Sequence, residues 1–334
     1  MIRTIGLCLG DRHGIGPELV AALLSHADVV DRRTPVLVVG DRGVLEAGAK
    51  VAGVSLEIEE TPEPVVPSGA RWALLNRPHD APTGTVGRAT EAAGREMLAR
   101  LADLADLAVA GSIAGIVYAP LNKSALRMAG HEAGDELAYL IGRMKPASVF
   151  GEINILGDLW TSRVTSHVAI RHVADALTTP AIVDAIRLIA TALKAAGRAK
   201  PRIAVAALNP HAGEGGAFGR EEIDVIEPAV TLAAAEGLDV AGPFPADTVF
   251  PRAAREGFDG IVTMFHDQGQ IALKILGLGR GVTMLAGLPV PIATPGHGTA
   301  YDIAGKGIAN GAALSAAFRL VADMVRNKEG DGRG

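Results

Sequence analysis

A single cysteine occurs in the 334 residues, so no intrachain disulfide can staple the chain and its stability must come from a packed core. Aromatic residues amount to only 4%; Ala, Val, Leu and Ile supply the apolar mass instead, as suits helices layered on a buried sheet. No block of basic residues occurs and the formal net charge is −5, which argues against nucleic acid as a partner, because phosphate backbones are bound by basic surfaces. No uninterrupted apolar run reaches the ~20 residues that span a bilayer. The opening segment, with one Arg and a short apolar stretch ended by Asp11, lacks the pattern of a secretory signal. The expectation is a cytoplasmic protein without membrane or nucleic-acid partners. Cys8 lies in the apolar run 5–9 and reads as a small buried hydrophobe, not a reactive thiol.

What is present is an ordinary globular balance, 49% hydrophobic and 21% charged, in a chain long enough that two lobes are expected over one core. Apolar runs alternate with helical patterns, the mark of a βαβ chain. Strands are predicted at 5–9, 35–39, 115–119, 163–166, 203–207 and 260–265, and helices from Pro17 and over 90–107, 182–196, 220–235 and 310–325. The Pro-rich stretch 62–82 reads as a surface connection or a pair of edge strands, and 330–334 as a frayed tail.

Several predicted strands end in clusters of Gly, Asn, His or Asp, and in open α/β sheets ligands collect outside the carboxyl ends of strands. Residues 10–18, Gly-Asp-Arg-His-Gly-Ile-Gly-Pro-Glu, allow tight backbone passage into a helix whose free N–H groups suit an anion or cofactor. His167, His211 and His266 each follow a strand candidate. Neutral imidazole is a common metal ligand, and three of them leave coordination positions open for substrate. Spacing leaves open which metal is bound and whether the three meet. Residues 297–310 are too rich in Gly for a strand and too long for a turn; Asp302 there is suited to a ribose diol.

These residues resemble the PdxA family, typified by 4-hydroxythreonine-4-phosphate dehydrogenase and belonging to the fold group of isocitrate and isopropylmalate dehydrogenases. The match runs nearly end to end. Residues 10–18 resemble the family's GDPxGIGPE, and 119–123 (Ala-Pro-Leu-Asn-Lys) its APxNK. Residues 209–216 (Asn-Pro-His-Ala-Gly-Glu-Gly-Gly), 242–247 and 266–269 (His-Asp-Gln-Gly) are close to its most specific motifs, and 297–310 resembles the adenosine loop.

The resemblance implies a two-lobed α/β fold with the active site in the cleft. The cofactor-side lobe is expected at 1–122 with 275–334, and the metal and dimerisation lobe at 123–274. It implies a divalent metal, zinc first with cobalt, manganese or magnesium open, on His167, His211 and His266, with one ligand supplied across a homodimer interface. NAD is expected against Asn209, Gly213, Glu214, Gly215, His297, Asp302 and Asn310. Lys274 and Lys123 are expected as active-site cations, with Asp247 and Asp267 as base or supporting candidates.

The departures bear on substrate. The family's GHTE falls near Gly134-Asp135-Glu136, and its substrate-contacting Asn and Arg fall at Thr283 and Ile292. A carboxylate at Asp135 repels a phosphate. His13 and Gly296-His297 resemble the branch that oxidises terephthalate cis-dihydrodiol. The expectation is therefore an NAD-linked, decarboxylating oxidation of a non-phosphorylated dihydrodiol carboxylate, with His13, Asp135, Thr283 and Ile292 lining the substrate pocket. The alternatives are 4-hydroxythreonine-4-phosphate or a related sugar-acid phosphate as substrate, and a metal- or nucleotide-binding protein without catalysis.

Overall fold

The structure, a computed structural model, describes residues 3–79, 86–132, 136–146, 149–277 and 279–328. The chain divides into two compact units, one of Met1–Pro146, Val282–Met284 and Leu288–Gly334, the other of Ala147–Gly281 and Leu285–Gly287. The first unit thus runs past the division drawn after 122, because the helices that follow pack onto one of its own.

In the first unit, β1 (Ile5–Cys8), α1 (Gly16–Ser25), β2 (Val36–Gly40), α2 (Arg42–Ala52), β3 (Trp72–Asn76), α3 (Glu91–Val109) and β4 (Gly115–Tyr118) alternate along the chain. They are followed by α4 (Lys123–Met128) and α5 (Glu136–Met144), both against α3. Pro17 sits in the first turn of α1, where no backbone donor is required. Asp41 and Thr90 cap α2 and α3, their side chains accepting from Val44 N and Ala93 N. Strands β1, β2 and β4 are buried along their whole length, as parallel strands covered on both faces must be.

The second unit holds β5 (Gly151–Leu156), β6 (Leu159–Arg163), α6 (Val173–Ala176), α7 (Thr179–Ala195), β7 (Arg202–Ala206), α8 (Glu227–Ala235), β8 (Asp239–Phe244), α9 (Val249–Glu256), β9 (Gly260–Thr263) and α10 (His266–Gly277). Residues of β10 (Val282–Ala286) belong to both units, and β11 (Ile292–Pro295) and α11 (Ala312–Asn327) return to the first.

The strand order in the first unit is β3-β2-β1-β4-β11, with all neighbours parallel. The chain moves outward from β1 to β3 and then re-enters on the other side of β1 as β4, which makes the β1/β4 crevice a topological switch point. In the second unit the order is β5-β6-β9-β7-β8. Strand β6 pairs antiparallel with β5 and parallel with β9, and β7 lies parallel to both β9 and β8. Here the order reverses between β7 and β9.

Two sequence expectations shift. Strand β6 ends at Arg163 instead of starting there, because a two-residue Gly157-Asp158 turn closes a β5–β6 hairpin that pairs Leu156 with Leu159. The stretch 62–82 holds one edge strand instead of a pair: β3, buried except at its last residue, ends the strand order beside β2. The tail at 330–334 lies outside the described residues. Cys8 is buried in β1, where desolvation pushes its thiol up to about 11.

Helices α1 and α2 cross where Gly48 meets Pro17: a Cβ at Gly48 would stand 2.3 Å from the Pro17 carbonyl oxygen. Gly142 in α5 has nothing within 4 Å of that position. Gly48→Ala should therefore destabilise by about 1–3 kcal/mol, whereas Gly142→Ala should be neutral or stabilising by under about 1 kcal/mol. Urea unfolding of the two variants checks this, and equal midpoints would refute the close crossing.

Candidate functional site

At the switch point of the first unit, β1 and β4 deliver the two motifs 10–18 and 119–123 side by side. Gly10 has φ +72° and would clash with the Ala119 and Pro120 backbone if it carried a Cβ; Asp11 N donates to Pro120 O at 3.0 Å. The wholly buried Asp11 carboxylate accepts from His13 N at 2.9 Å and from the Tyr301 hydroxyl. Ile15 N donates to Thr299 O at 3.0 Å, and Asn122 Nδ2 reaches Thr299 Oγ1 at 3.4 Å. Glu18, 5% exposed, accepts from the backbone N–H groups of Gly305 and Gly307. The loop 297–310 is thus tied to the opening motif along its length. A cavity of about 130 Å3 lies against this clasp, walled by His13, Pro17, Glu18, Gly48, Val86 and Gly305.

Beneath the motif, Arg12 Nε stands 3.1 Å from Glu96 Oε2, both side chains nearly inaccessible. Desolvation raises the Glu96 carboxyl, with the Arg12 and Arg100 charges opposing it. This pair was not foreseen from the sequence; its one signal is an acidic residue on the inward face of α3.

In the second unit, β6, β9 and β7 are neighbours, and His167, His266 and His211 follow their carboxyl ends. Val164 N and Thr165 N donate to Thr263 O and Met264 O at 2.9 and 3.1 Å, and the Thr165 hydroxyl also reaches Met264 O at 2.9 Å. Gln268 bridges the next pair, accepting from Met264 N at 2.8 Å and donating to Ala207 O at 2.9 Å. These ties bring the His167 and His266 rings to 6.2 Å between centroids. His266 Nδ1 lies 2.7 Å from Asp267 Oδ1, the contact that leaves Nε2 with its lone pair.

His211 is placed differently. It opens a left-handed turn in which His211, Ala212, Gly213, Glu214 and Gly215 have φ of +52°, +52°, +77°, +43° and +65°. For each non-glycine residue this costs about 1 kcal/mol or more, so the turn has to be held. Its entry is held by Glu222, 1% exposed, whose Oε1 accepts from Leu208 N at 2.9 Å and Asn209 N at 2.8 Å. Its Oε2 accepts from Asn209 Nδ2 at 2.9 Å. The exposed His211 ring has Phe218 as its aromatic neighbour, at 6.3 Å. Among the described residues of one chain, no three His, Cys, Asp or Glu side chains gather as a metal site.

The remaining expected residues fall as follows. Lys274 is exposed in the last turn of α10, Asp267 in its first turn, and Asp247 between β8 and α9. Lys123 is exposed at the start of α4, behind the capping Asn122. Thr283 is half-buried on β10. Asn209 is committed to Glu221 and Glu222; Gly213 is buried, while Glu214 and Gly215 are exposed on the turn. His297 is half-buried and Asp302 exposed; Asn310, two residues before α11, accepts from Ala312 N at 2.8 Å. His13 is buried beside Thr90, 3.5 Å from its hydroxyl. Asp135 lies outside the described residues. Ile292 corrects an expectation: it is fully buried in β11, paired with Ile116, and its side chain belongs to the core and does not line an open pocket.

Parallel strands delivering polar loops to two switch points give the α/β architecture of the isocitrate dehydrogenase fold group. The likeness of fold extends to a β-decarboxylating dehydrogenase from Thermococcus kodakarensis, 14% identical with a TM-score of 0.51 over 98% of this chain and 84% of that one. The family described as pyridoxal phosphate biosynthetic protein PdxA matches residues 31–321, and the chain belongs to it.

A putative 4-hydroxythreonine-4-phosphate dehydrogenase 2 from Rhizobium meliloti is 46% identical over 97% of this chain and 94% of its own length. The 4-hydroxythreonine-4-phosphate dehydrogenase structure from Klebsiella pneumoniae is 34% identical, with a TM-score of 0.85 over 97% and 98% of the two chains. A terephthalate 1,2-cis-dihydrodiol dehydrogenase from Burkholderia xenovorans LB400 is also similar, at 29% identity and a TM-score of 0.68 over the same shares. The chain is an oxidoreductase of a family of NAD-dependent dehydrogenases that use a divalent metal. No single helix among the described residues is long and apolar enough to cross a membrane.

These relatives overturn the expected dihydrodiol reaction. The higher identities and the stronger structural likeness go with the phosphate substrate's name, not with the diol. Ile292, one of the residues expected to line a diol pocket, is core. The decarboxylation attached to that reading is not carried over.

The clasp makes a pH-dependent prediction. Burial pushes the Asp11 carboxyl above its usual range, and the Tyr301 hydroxyl draws it back down. Without that hydroxyl, a charged Asp11 loses a partner in a buried site, at about 1–3 kcal/mol, while a protonated one loses less. Tyr301→Phe should therefore be less stable than the parent, by a margin that widens as pH rises from 5 to 8. Thermal unfolding at both pH values checks it; a margin independent of pH would exclude the linkage to Asp11.

Proposed function

We propose that this chain oxidises the secondary alcohol of a phosphorylated hydroxy acid, 4-hydroxythreonine 4-phosphate first among them, with NAD as hydride acceptor. The observation that carries the reading is the 46% identity, across nearly the whole of both chains, to a relative bearing that name. The alcohol carbon loses hydride to the nicotinamide and the hydroxyl loses its proton to a base, so the products are the ketone, NADH and a proton.

The residues present fit a divalent metal. His167 and His266 stand ring to ring, and Asp267 fixes the His266 tautomer with Nε2 available. His167, His266 and His211 would hold the ion, and zinc suits such imidazoles. When bound, the metal would polarise the substrate hydroxyl and lower its pKa. Asp267, engaged with His266, orients a ligand; Asp247, exposed at the carboxyl end of β8, is the freer candidate for proton acceptor. Lys274 supplies a cation for substrate anions. In the first unit, the clasped loop 297–310 presents Asp302 to the cofactor ribose, and a carboxylate there favours NAD over its 2′-phosphorylated form.

His211 is proposed to complete the metal site of a second copy of the chain. Supporting this, the α10 side chains Ile271, Ile275 and Leu276 are 58%, 79% and 54% exposed, an apolar stripe that a homodimer would cover.

The deciding assay follows NADH absorbance with 4-hydroxythreonine 4-phosphate, with and without added divalent metal. Turnover dependent on metal, with kcat/KM higher than for the unphosphorylated amino acid, is expected. Equal or better use of the unphosphorylated compound would sink the substrate assignment.

Sharing of the site has its own test. His266→Ala and His211→Ala homodimers should each lose turnover by about 100-fold or more, while mixing them should restore part of it, since a hybrid dimer retains one intact site. No recovery after demonstrated subunit exchange would exclude a shared site.

A further inference from the structure

The left-handed turn at 211–215 poses a question that the proposed reaction does not answer. Consecutive residues with positive φ are unfavourable for side chains bearing a Cβ, and His211, Ala212 and Glu214 all adopt it. Such a conformation persists only where its surroundings over-determine it. Backbone closes the far side of the turn, with Phe218 N donating to Gly213 O at 3.1 Å and Ala217 N to Glu214 O at 3.3 Å; its entry is held by a carboxylate. Glu222 lies at the start of the π-helical turn Glu222–Ile226, is buried, and takes three donors: Leu208 N, Asn209 N and Asn209 Nδ2. All three sit immediately before the turn. Gly213 also packs on it, since a Cβ there would stand 2.7 Å from Glu222 Oε2. Glu221 Oε2, 2.6 Å from Asn209 Nδ2, closes the bracket from the exposed side.

We propose that Glu222 is a positioning residue for His211: it fixes the entry to the left-handed turn and thereby the direction in which the imidazole leaves the chain. The inference rests on the reading of His211 as a metal ligand. Glu222 touches neither metal nor substrate; it acts through Asn209 and the backbone. The exposed His211 ring has only the exposed Phe218 as an aromatic neighbour among the described residues, so its aim is set chiefly from the backbone behind it. A buried carboxylate with its lone pairs occupied by backbone and amide donors does this with little freedom.

Glu222→Gln keeps the volume and the two backbone contacts of Oε1 but turns an amide donor toward Asn209 Nδ2, so that two donors face each other. The measurement is calorimetric titration of the metal-free dimer with zinc chloride, beside its thermal unfolding, for the parent, Glu222→Gln and His211→Ala. The expected result is a roughly 10–100-fold weaker zinc affinity in Glu222→Gln, with a cooperative unfolding transition retained and zinc binding lost in His211→Ala. Parental affinity in Glu222→Gln with loss in His211→Ala would overturn the positioning role while sparing the metal site. Parental affinity in His211→Ala would instead overturn the metal reading, and this inference with it. Should Glu222→Gln fail to fold, Asn209→Ala, which removes only the side-chain link, is read by the same criteria.

Discussion

Parallel pairing obliges every strand in a set to finish on the same edge of its sheet, and the chemistry of this protein hangs on that constraint. In the first unit β1, β4 and β11 finish together, and their trailing segments carry the opening motif, Asn122 and Thr299. In the second, β6, β9 and β7 do so, and each is followed by a histidine. Strand order matters as much as direction. Where successive connections leave to opposite sides, the crevice is not filled by a crossover, and polar side chains can occupy it without being buried unpaired.

The two edges are then finished by different means. The first unit uses a buried carboxylate, Asp11, to hold the hydroxyl of a residue 290 positions later in the chain. The second uses Gln268 and Thr165, whose hydrogen bonds to backbone continue the sheet beyond its last paired residues. In both, the side chains expected to meet ligands stand on loops or in the end turns of helices, and the side chains that fix those segments are buried or half-buried nearby. Stability and function thus draw on adjacent residues but not on the same ones.

Much of this arrangement was legible in the sequence. The buried parallel strands read as continuous apolar runs, the proline of α1 and the pattern from Thr90 marked two of the helices, and the three histidines stood where strands end, whereas α2 with its Asp41 cap was not read from the sequence. The rest was hidden for physical reasons. Strand β3 is short and lies among prolines, so its stretch read as a connection or a pair of edge strands. Strand β6 was displaced because a two-residue hairpin sets its register from the other side. Arg12–Glu96, Asp11–Tyr301 and Glu222–Asn209 are contacts between residues that local periodicity treats as independent. Ile292 was misjudged as pocket lining: a residue that differs from a family pattern says little about a pocket until its side chain is known to face one, and Ile292 faces the core.

The burial of Cys8 has a practical side. Because the thiol sits inside β1 and desolvation holds it at about 11, the thiolate that alkylating reagents require is scarce in the native state. It becomes available only when the central strand of the first unit comes apart, and the unfolded chain's thiol then titrates near its ordinary value. As the chain has only one cysteine, the rate at which a thiol reagent labels the protein measures how often that strand opens. The core carries its own clock for spontaneous unfolding, readable by mass spectrometry without any engineered probe.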